Sequence, residues 1–105
     1  MADEEISVKV INDTAFDIVK IDVFHESVQT HNWQGALLSS INGGRYEPVL
    51  FSFPKDYFKS GQAYAKISIQ YISVINGNLF SSVIEKSINV GPSYPGFVNN
   101  IYIKS

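Results

Sequence analysis

The sequence predicts an all-β domain, an antiparallel β-sandwich of about seven or eight strands. Three observations carry that reading. Apolar and polar residues alternate over several runs, the period of a strand with one wet face. Turn-forming clusters recur between those runs, as NDTA, NGG, NGN and GPSYPG, at the spacing expected of a sandwich or barrel. No stretch sustains a helical period with capping residues, and at 105 residues an antiparallel sandwich is the usual way for such strands to share one core.

Taken in order, ISVKV places Ile6, Val8 and Val10 on one face and Ser7 and Lys9 on the other, which makes it the first strand. Asn12, Asp13 and Thr14 follow as turn chemistry, since Asn and Asp side chains bond their own backbone two residues on. In DIVKIDVFH the alternation points Val19, Ile21 and Val23 inward and Lys20 and Asp22 toward water. His25 falls on the inward phase at that strand's end. Alternation then lapses, so Glu26 to Gly35 read as a polar connecting loop.

ALLSSI and YEPVLFSF flank Asn42-Gly43-Gly44, whose glycines supply the positive φ of a tight reversal, a hairpin or a corner. Pro48 cannot donate to a ladder and puts the second run at a sheet edge or a bulge. FPKDYFKSGQ is a connection. AYAKISIQYISVI and LFSSVIEKSINV, joined through Asn76-Gly77, form the longest hairpin. GPSYPGF interrupts the chain before VNNIYIK closes it as a short last strand.

A long hairpin that follows several shorter strands resembles, over nearly the whole chain, the immunoglobulin or fibronectin type III pattern. The resemblance implies two packed sheets and no particular activity, because such sandwiches serve as adhesins, lectins, chaperones, toxins and spacers alike. The paired cysteines of antibody domains are absent. Residues 1–105 are expected to form a single domain, with residues 1–5 as a flexible acidic tail.

Composition removes several function classes. The chain has no cysteine, which excludes disulfides, thiolate zinc sites and cysteine nucleophiles. Eight basic residues against ten acidic ones give a net charge of −2, and the lysines and Arg45 are scattered singly, without the basic face that nucleic-acid binding needs. No apolar run approaches the roughly 18 residues of a membrane span, and MADEE carries acids where a secretory signal would carry bases. As it stands the sequence reads as cytoplasmic, with export by a route lacking a classical signal peptide left open.

The segment FHESVQTHNW, residues 24–33, gathers His25, His31, Glu26 and the one tryptophan, Trp33. Six residues separate the histidines and there is no third, which fits no metal-ligand pattern; His25 is expected at the core rim, and no metal or cofactor is called for. Serines are many, but no G-x-S-x-G elbow accompanies them, and Ser39, Ser40, Ser81 and Ser82 read as the wet face of a sheet. Asn42-Gly43-Gly44-Arg45 lacks the spacing and helix of a phosphate loop. Asn12-Asp13-Thr14 is formally a glycosylation sequon, better explained as a turn. No catalytic residue is assigned.

Aromatic residues outside the expected strands form the candidate binding set: Trp33, Tyr57, Phe58, Tyr94 and Phe97, with the amides Asn32 and Gln34. Such side chains give contact area at low entropic cost and suit sugars or protein surfaces; the alternative is that they plug the ends of the sandwich. Trp33 suits plugging at least as well as binding, and Tyr57 and Tyr94 suit exposure. The function expected is therefore a non-catalytic binding module for a carbohydrate or protein surface. Two alternatives stand beside it. One is a component of a cytolytic or insecticidal toxin system in contact with membranes, by analogy with other small cysteine-free sandwiches. The other is a self-assembling structural subunit, a homo-oligomer built through exposed strand edges.

Overall fold

The structure, a computed structural model, describes residues 5–40, 47–91 and 96–104, with all their side chains except that of residue 36. Within these residues the chain forms seven strands: β1 (Glu5–Asp13), β2 (Asp17–His25), β3 (Val28–Leu38), β4 (Val49–Pro54), β5 (Tyr64–Ile75), β6 (Asn78–Asn89) and β7 (Val98–Lys104), with a single 3-10 turn at Lys55–Tyr57. They make a three-stranded sheet in the order β4-β1-β7 and a four-stranded sheet in the order β3-β2-β5-β6. Twelve-residue strands β5 and β6 span about 40 Å at 3.3 Å per residue. They therefore account for the 45 Å long axis of the molecule.

The alternation read for the first strand is realised in β1, and β4 and β5 show the same period. Ile6, Val8 and Val10 of β1, Phe51 and Phe53 of β4, and Ala65, Ile67 and Ile69 of β5 are buried in one hydrophobic cluster, joined by Ile101 and Ile103 of β7. Both sheets contribute, so the core is the layer between them, as in a β-sandwich. Every second residue of β4 is exposed, and the strand begins just after Pro48 at the edge of its sheet, where the missing N–H does no harm.

Several expectations are corrected. The segment read as a loop from Glu26 to Gly35 is mostly strand: β3 begins at Val28 and pairs with β2 from His25↔Val28 to Ile18↔Leu38. Only Glu26 and Ser27 turn the chain, with φ of 51° and 68°. These are the left-handed conformations of a two-residue hairpin loop, adopted here without the Asn or Gly that advertises one. Glu5, placed in the tail, already pairs with Pro54 in β1. The sandwich is not wholly antiparallel either, since β7 runs parallel to β1 from Ser7↔Val98 to Asp13↔Lys104.

A second correction concerns the inward phase of β2. Ile21 and Val23 are buried as expected, but a register irregularity between Ile18 and Lys20 inserts one residue against β5. Ile18 is consequently buried at 0% exposure and Val19 only half-buried. A bulge of this kind shifts the phase of a strand by one residue, which strict alternation does not foresee. Asp22 is also better shielded than its phase suggests, at 9% exposure. Ser40, read as part of a wet face, is buried, and its hydroxyl donates to the Thr14 carbonyl.

The Asn76-Gly77 hairpin forms as expected, with φ of 52° and 78° and Ile75 opposite Asn78. β3 and β4 lie in different sheets, so they do not pair with each other. The reversal expected at Asn42-Gly43-Gly44, and Arg45 beside it, lie outside the described residues.

Candidate functional site

One end of the sandwich collects the β2–β3 turn, the start of β1, the connection from β4 to β5 and the segment leading into β7. The pairings Glu5↔Pro54, His25↔Val28 and Ser7↔Val98 bring them together. A 3-10 turn immediately after β4 sends Tyr57 and Phe58 in different directions. Phe58 is buried at 6% exposure and belongs to the core, whereas Tyr57 is 41% exposed. His25 lies against both rings, 5.3 Å from Tyr57 and 5.1 Å from Phe58 between centroids. It is thus a residue of the core rim, as its phase predicted, with aromatic rings as its neighbours.

Two clefts open on this end. The larger, about 940 Å³, is lined by Lys55, Asp56, Lys59, Ser60 and Gln62 of the β4–β5 connection, with Phe58 and Val90 as apolar surface. Its size falls within the roughly 300–1,000 Å³ of ordinary ligand pockets. The smaller, about 240 Å³, lies on the flank between the edge strands β3 and β4. Gln29, Thr30, His31, Ser52, Phe53 and Tyr57 line it. The 3-10 turn separates the two, with Phe58 toward the first and Tyr57 toward the second.

His31 has a definite mechanical role in the smaller cleft. Its ring packs edge-on against Phe53 at 4.5 Å and Phe51 at 5.2 Å, and its Nε2 atom lies 2.9 Å from the carbonyl oxygen of Ser52. A carbonyl only accepts, so Nε2 carries the proton and donates. The Nδ1 atom is 2.8 Å from Thr30 Oγ1, whose hydroxyl also reaches the Val23 carbonyl at 3.1 Å. One imidazole thereby joins the edge of one sheet to the edge of the other. Both histidines of FHESVQTHNW are accounted for as packing and bridging groups, and Glu26 makes only an exposed 3.9 Å ion pair with Lys59, worth little in water.

The remaining candidates are dispersed. Trp33 is on the inner face of β3, opposite Ile21, half-buried and packed on the core. Asn32 and Gln34, one residue to either side, point to the outer face of the same sheet. There Asn32 Nδ2 donates to Asp22 Oδ1 at 2.5 Å and Gln29 Nε2 to the same oxygen at 3.4 Å, while Lys20 Nζ is 3.6 Å from Asp22 Oδ2. Trp33 therefore shares no surface with the two amides. Phe97 is half-buried near the start of β7, and Tyr94 lies outside the described residues.

Sequence reasoning passed over His31 as a bridge, Gln29 and Thr30 beside it, and the polar lining of the larger cleft. Only the FPKDYFKSGQ segment carried a usable signal, its charged and amide residues being clustered around Tyr57. Asn12, the acceptor of the formal sequon, is completely buried and fully engaged by hydrogen bonds, so near the end of β1 it anchors the turn that follows. Among the described residues no three or more His, Asp or Glu side chains come together as a metal site, and no helix is long and apolar enough to cross a membrane.

The fold and this end of it define a two-sheet, all-β domain with two open clefts. Comparison with protein-family models, with curated proteins and with solved structures finds no match for the chain.

Proposed function

We propose that the chain is a non-catalytic binding module that recognises a carbohydrate or protein surface at the end of the sandwich carrying Tyr57. The observation that carries this reading is the exposure of Tyr57 at 41% on a short turn that separates two open clefts. Its ring is backed by Phe58 at 5.5 Å and His25 at 5.3 Å. A planar aromatic face held in this way presents an apolar platform without a large ordering cost. Amide, hydroxyl and ammonium groups stand around it in Gln29, Thr30, Ser52, Lys55 and Gln62, suited to the hydroxyls of a sugar or the polar rim of a protein. The order β3-β2-β5-β6, two hairpins joined through their inner strands, supports an immunoglobulin- or fibronectin-like plan, from which the parallel β1–β7 pair departs.

The test is a glycan array probed with the full chain, followed by calorimetry on the strongest hit. Tyr57→Ala is expected to weaken binding by about 1–3 kcal/mol with little change in thermal midpoint. Trp33→Ala should lower stability by about 1–3 kcal/mol and leave the affinity of the folded fraction unchanged. Equal affinity in wild type and Tyr57→Ala sinks the assignment of this end. Leakage of lipid vesicles on addition of the full chain would favour the membrane reading instead.

A further inference from the structure

The β6 strand is an edge of the four-stranded sheet and is nearly naked. From Asn78 to Ser87 every residue but Ile84 is exposed, including Leu79 at 66%, Val83 at 60% and Phe80 at 50%. A long edge strand with exposed apolar side chains is a template for pairing unless it is blunted. The direction of its free backbone groups follows from the hairpin. Ile75 and Asn78 flank a two-residue turn, so they form a hydrogen-bonded pair, and such pairs then recur at every second residue. Even-numbered residues of β6 consequently bond to β5, while odd-numbered ones aim N–H and C=O outward.

Asn89 bears this out. Its N–H donates to Asn99 Oδ1 at 2.8 Å, and its C=O accepts from Asn99 Nδ2 at 3.1 Å, so a side chain of β7 takes the place of a neighbouring strand there. Beyond that cap, Leu79, Ser81, Val83, Glu85 and Ser87 face outward along a strand that, among the described residues, pairs only with β5.

We infer that β6 pairs antiparallel with β6 of a second copy, about a two-fold axis through Val83 perpendicular to the sheet, joining the two four-stranded sheets into one. The five open residues are spaced by two and are symmetric about Val83. This register sets Val83 against Val83, Ser81 against Glu85 and Leu79 against Ser87 of the second copy, each pair exchanging two hydrogen bonds. Side chains on each face match as well. On the outer face the Ser81 hydroxyl meets the Glu85 carboxylate and the valines pack together.

On the inner face Phe80 lies opposite Lys86, which gives that ammonium an aromatic face. An inward-pointing lysine on an edge normally opposes such continuation, because the extended core would bury it. Here Lys86 is exposed even on that face, so pairing does not strip it of water. A one-step slide toward the cap sets Leu79 against Asn89, whose N–H and C=O Asn99 already takes, and further steps bring Glu85 onto Glu85 or Lys86 onto Lys86. A slide the other way carries Ser87 past the end of the strand and leaves its open groups without partners. The centred register is thus the one that pairs all five open residues without opposing like charges, which favours a second copy over an arbitrary strand.

Sedimentation equilibrium of the full chain from low micromolar to millimolar concentration is the test, and it involves a surface separate from the Tyr57 end. The wild type should pass from monomer to dimer. Ser81→Pro removes an outward N–H while leaving the β5 ladder intact, and Val83→Lys places like charges on the axis. Each should raise the dimer dissociation constant about tenfold or more, with circular dichroism unchanged. In a chain without cysteine, Val83→Cys should crosslink to its own counterpart on mild oxidation, since hydrogen-bonded pairs sit about 5.5 Å apart between Cα atoms, and Leu79→Cys should not. A chain monomeric throughout, a dimer indifferent to both substitutions, or crosslinking at Leu79→Cys in preference to Val83→Cys overturns the proposal.

Discussion

Asn12 illustrates how much one buried polar side chain holds in place. Its Nδ2 group donates to the carbonyls of Phe16 at 2.6 Å and Leu38 at 2.9 Å, and its Oδ1 accepts from the Thr14 backbone N–H at 3.0 Å. The residue is 0% exposed. Without it the Leu38 carbonyl and the Thr14 N–H lose a buried partner, at about 1–3 kcal/mol for each group left orphaned, while the part-buried Phe16 carbonyl keeps the Thr14 hydroxyl at 2.9 Å. Asn12→Ala is expected to lower unfolding stability by about 2–4 kcal/mol, and Asn12→Asp by at least as much, since an acid would set an acceptor against two carbonyls. Asp13→Ala, one residue on, should be nearly neutral. Denaturant midpoints at constant slope measure all three, and an Asn12→Ala variant of unchanged midpoint would show that the turn closes without the amide.

Among the elements, β2 is the centre of the four-stranded sheet's first half and the strand where pattern and structure part company. Its bulge sets Ile18 and Ile21 inward, both at 0% exposure, across a gap of three residues rather than two. Ile18→Ala and Ile21→Ala are each expected to cost about 2–5 kcal/mol, the range for emptying a packed site. Val19→Ala and Lys20→Ala should cost well under half of that. Equal losses at Ile18 and Val19 would place the bulge elsewhere. The β2–β3 turn carries a related tension, because Glu26 and Ser27 hold left-handed φ values of 51° and 68°. Residues with a Cβ pay of order 1 kcal/mol for that conformation, and the ladders on either side of the turn sustain it.

At the level of the whole molecule, two sheets of unequal width leave two flanks, and on each flank a side chain stitches one sheet to the other. His31 joins β3 to the Ser52 carbonyl of β4. On the other side Asn99 of β7 joins the backbone of Asn89 in β6 and lies 3.5 Å from the Ser7 carbonyl in β1. The stitches sit at opposite edges of the strand order and share no partner, so their effects should be independent. His31→Ala and Asn99→Ala are each expected to cost about 1–2 kcal/mol, with the double variant close to the sum. A double variant much more or less stable than the sum would mean that the flanks communicate through the core.

Local chemistry was enough to read the all-β class, the inward residues Ile6, Val8 and Val10 of β1 and Ile21 and Val23 of β2, the Asn76-Gly77 hairpin and the Asn12 turn. Period-two alternation and positive-φ turn residues act over a few neighbours, and those neighbours are contiguous in the chain. Tertiary pairing decided the rest. A bulge in β2 and a strand in place of a loop at residues 28–35 arise because hydrogen bonds to β2 and β5 outweigh what Glu26, Ser27 and Val19 prefer by themselves. The parallel partnership of β1 with β7 joins residues some 90 positions apart, as Ser7 and Val98, and nothing local specifies it. The candidate site follows the same division. Tyr57 was legible as an exposed aromatic in a polar connection, whereas the burial of Phe58, the packing of Trp33 on the core and the bridging of His31 depend on which strand edge faces which, and that is set only when the two sheets close on a common core.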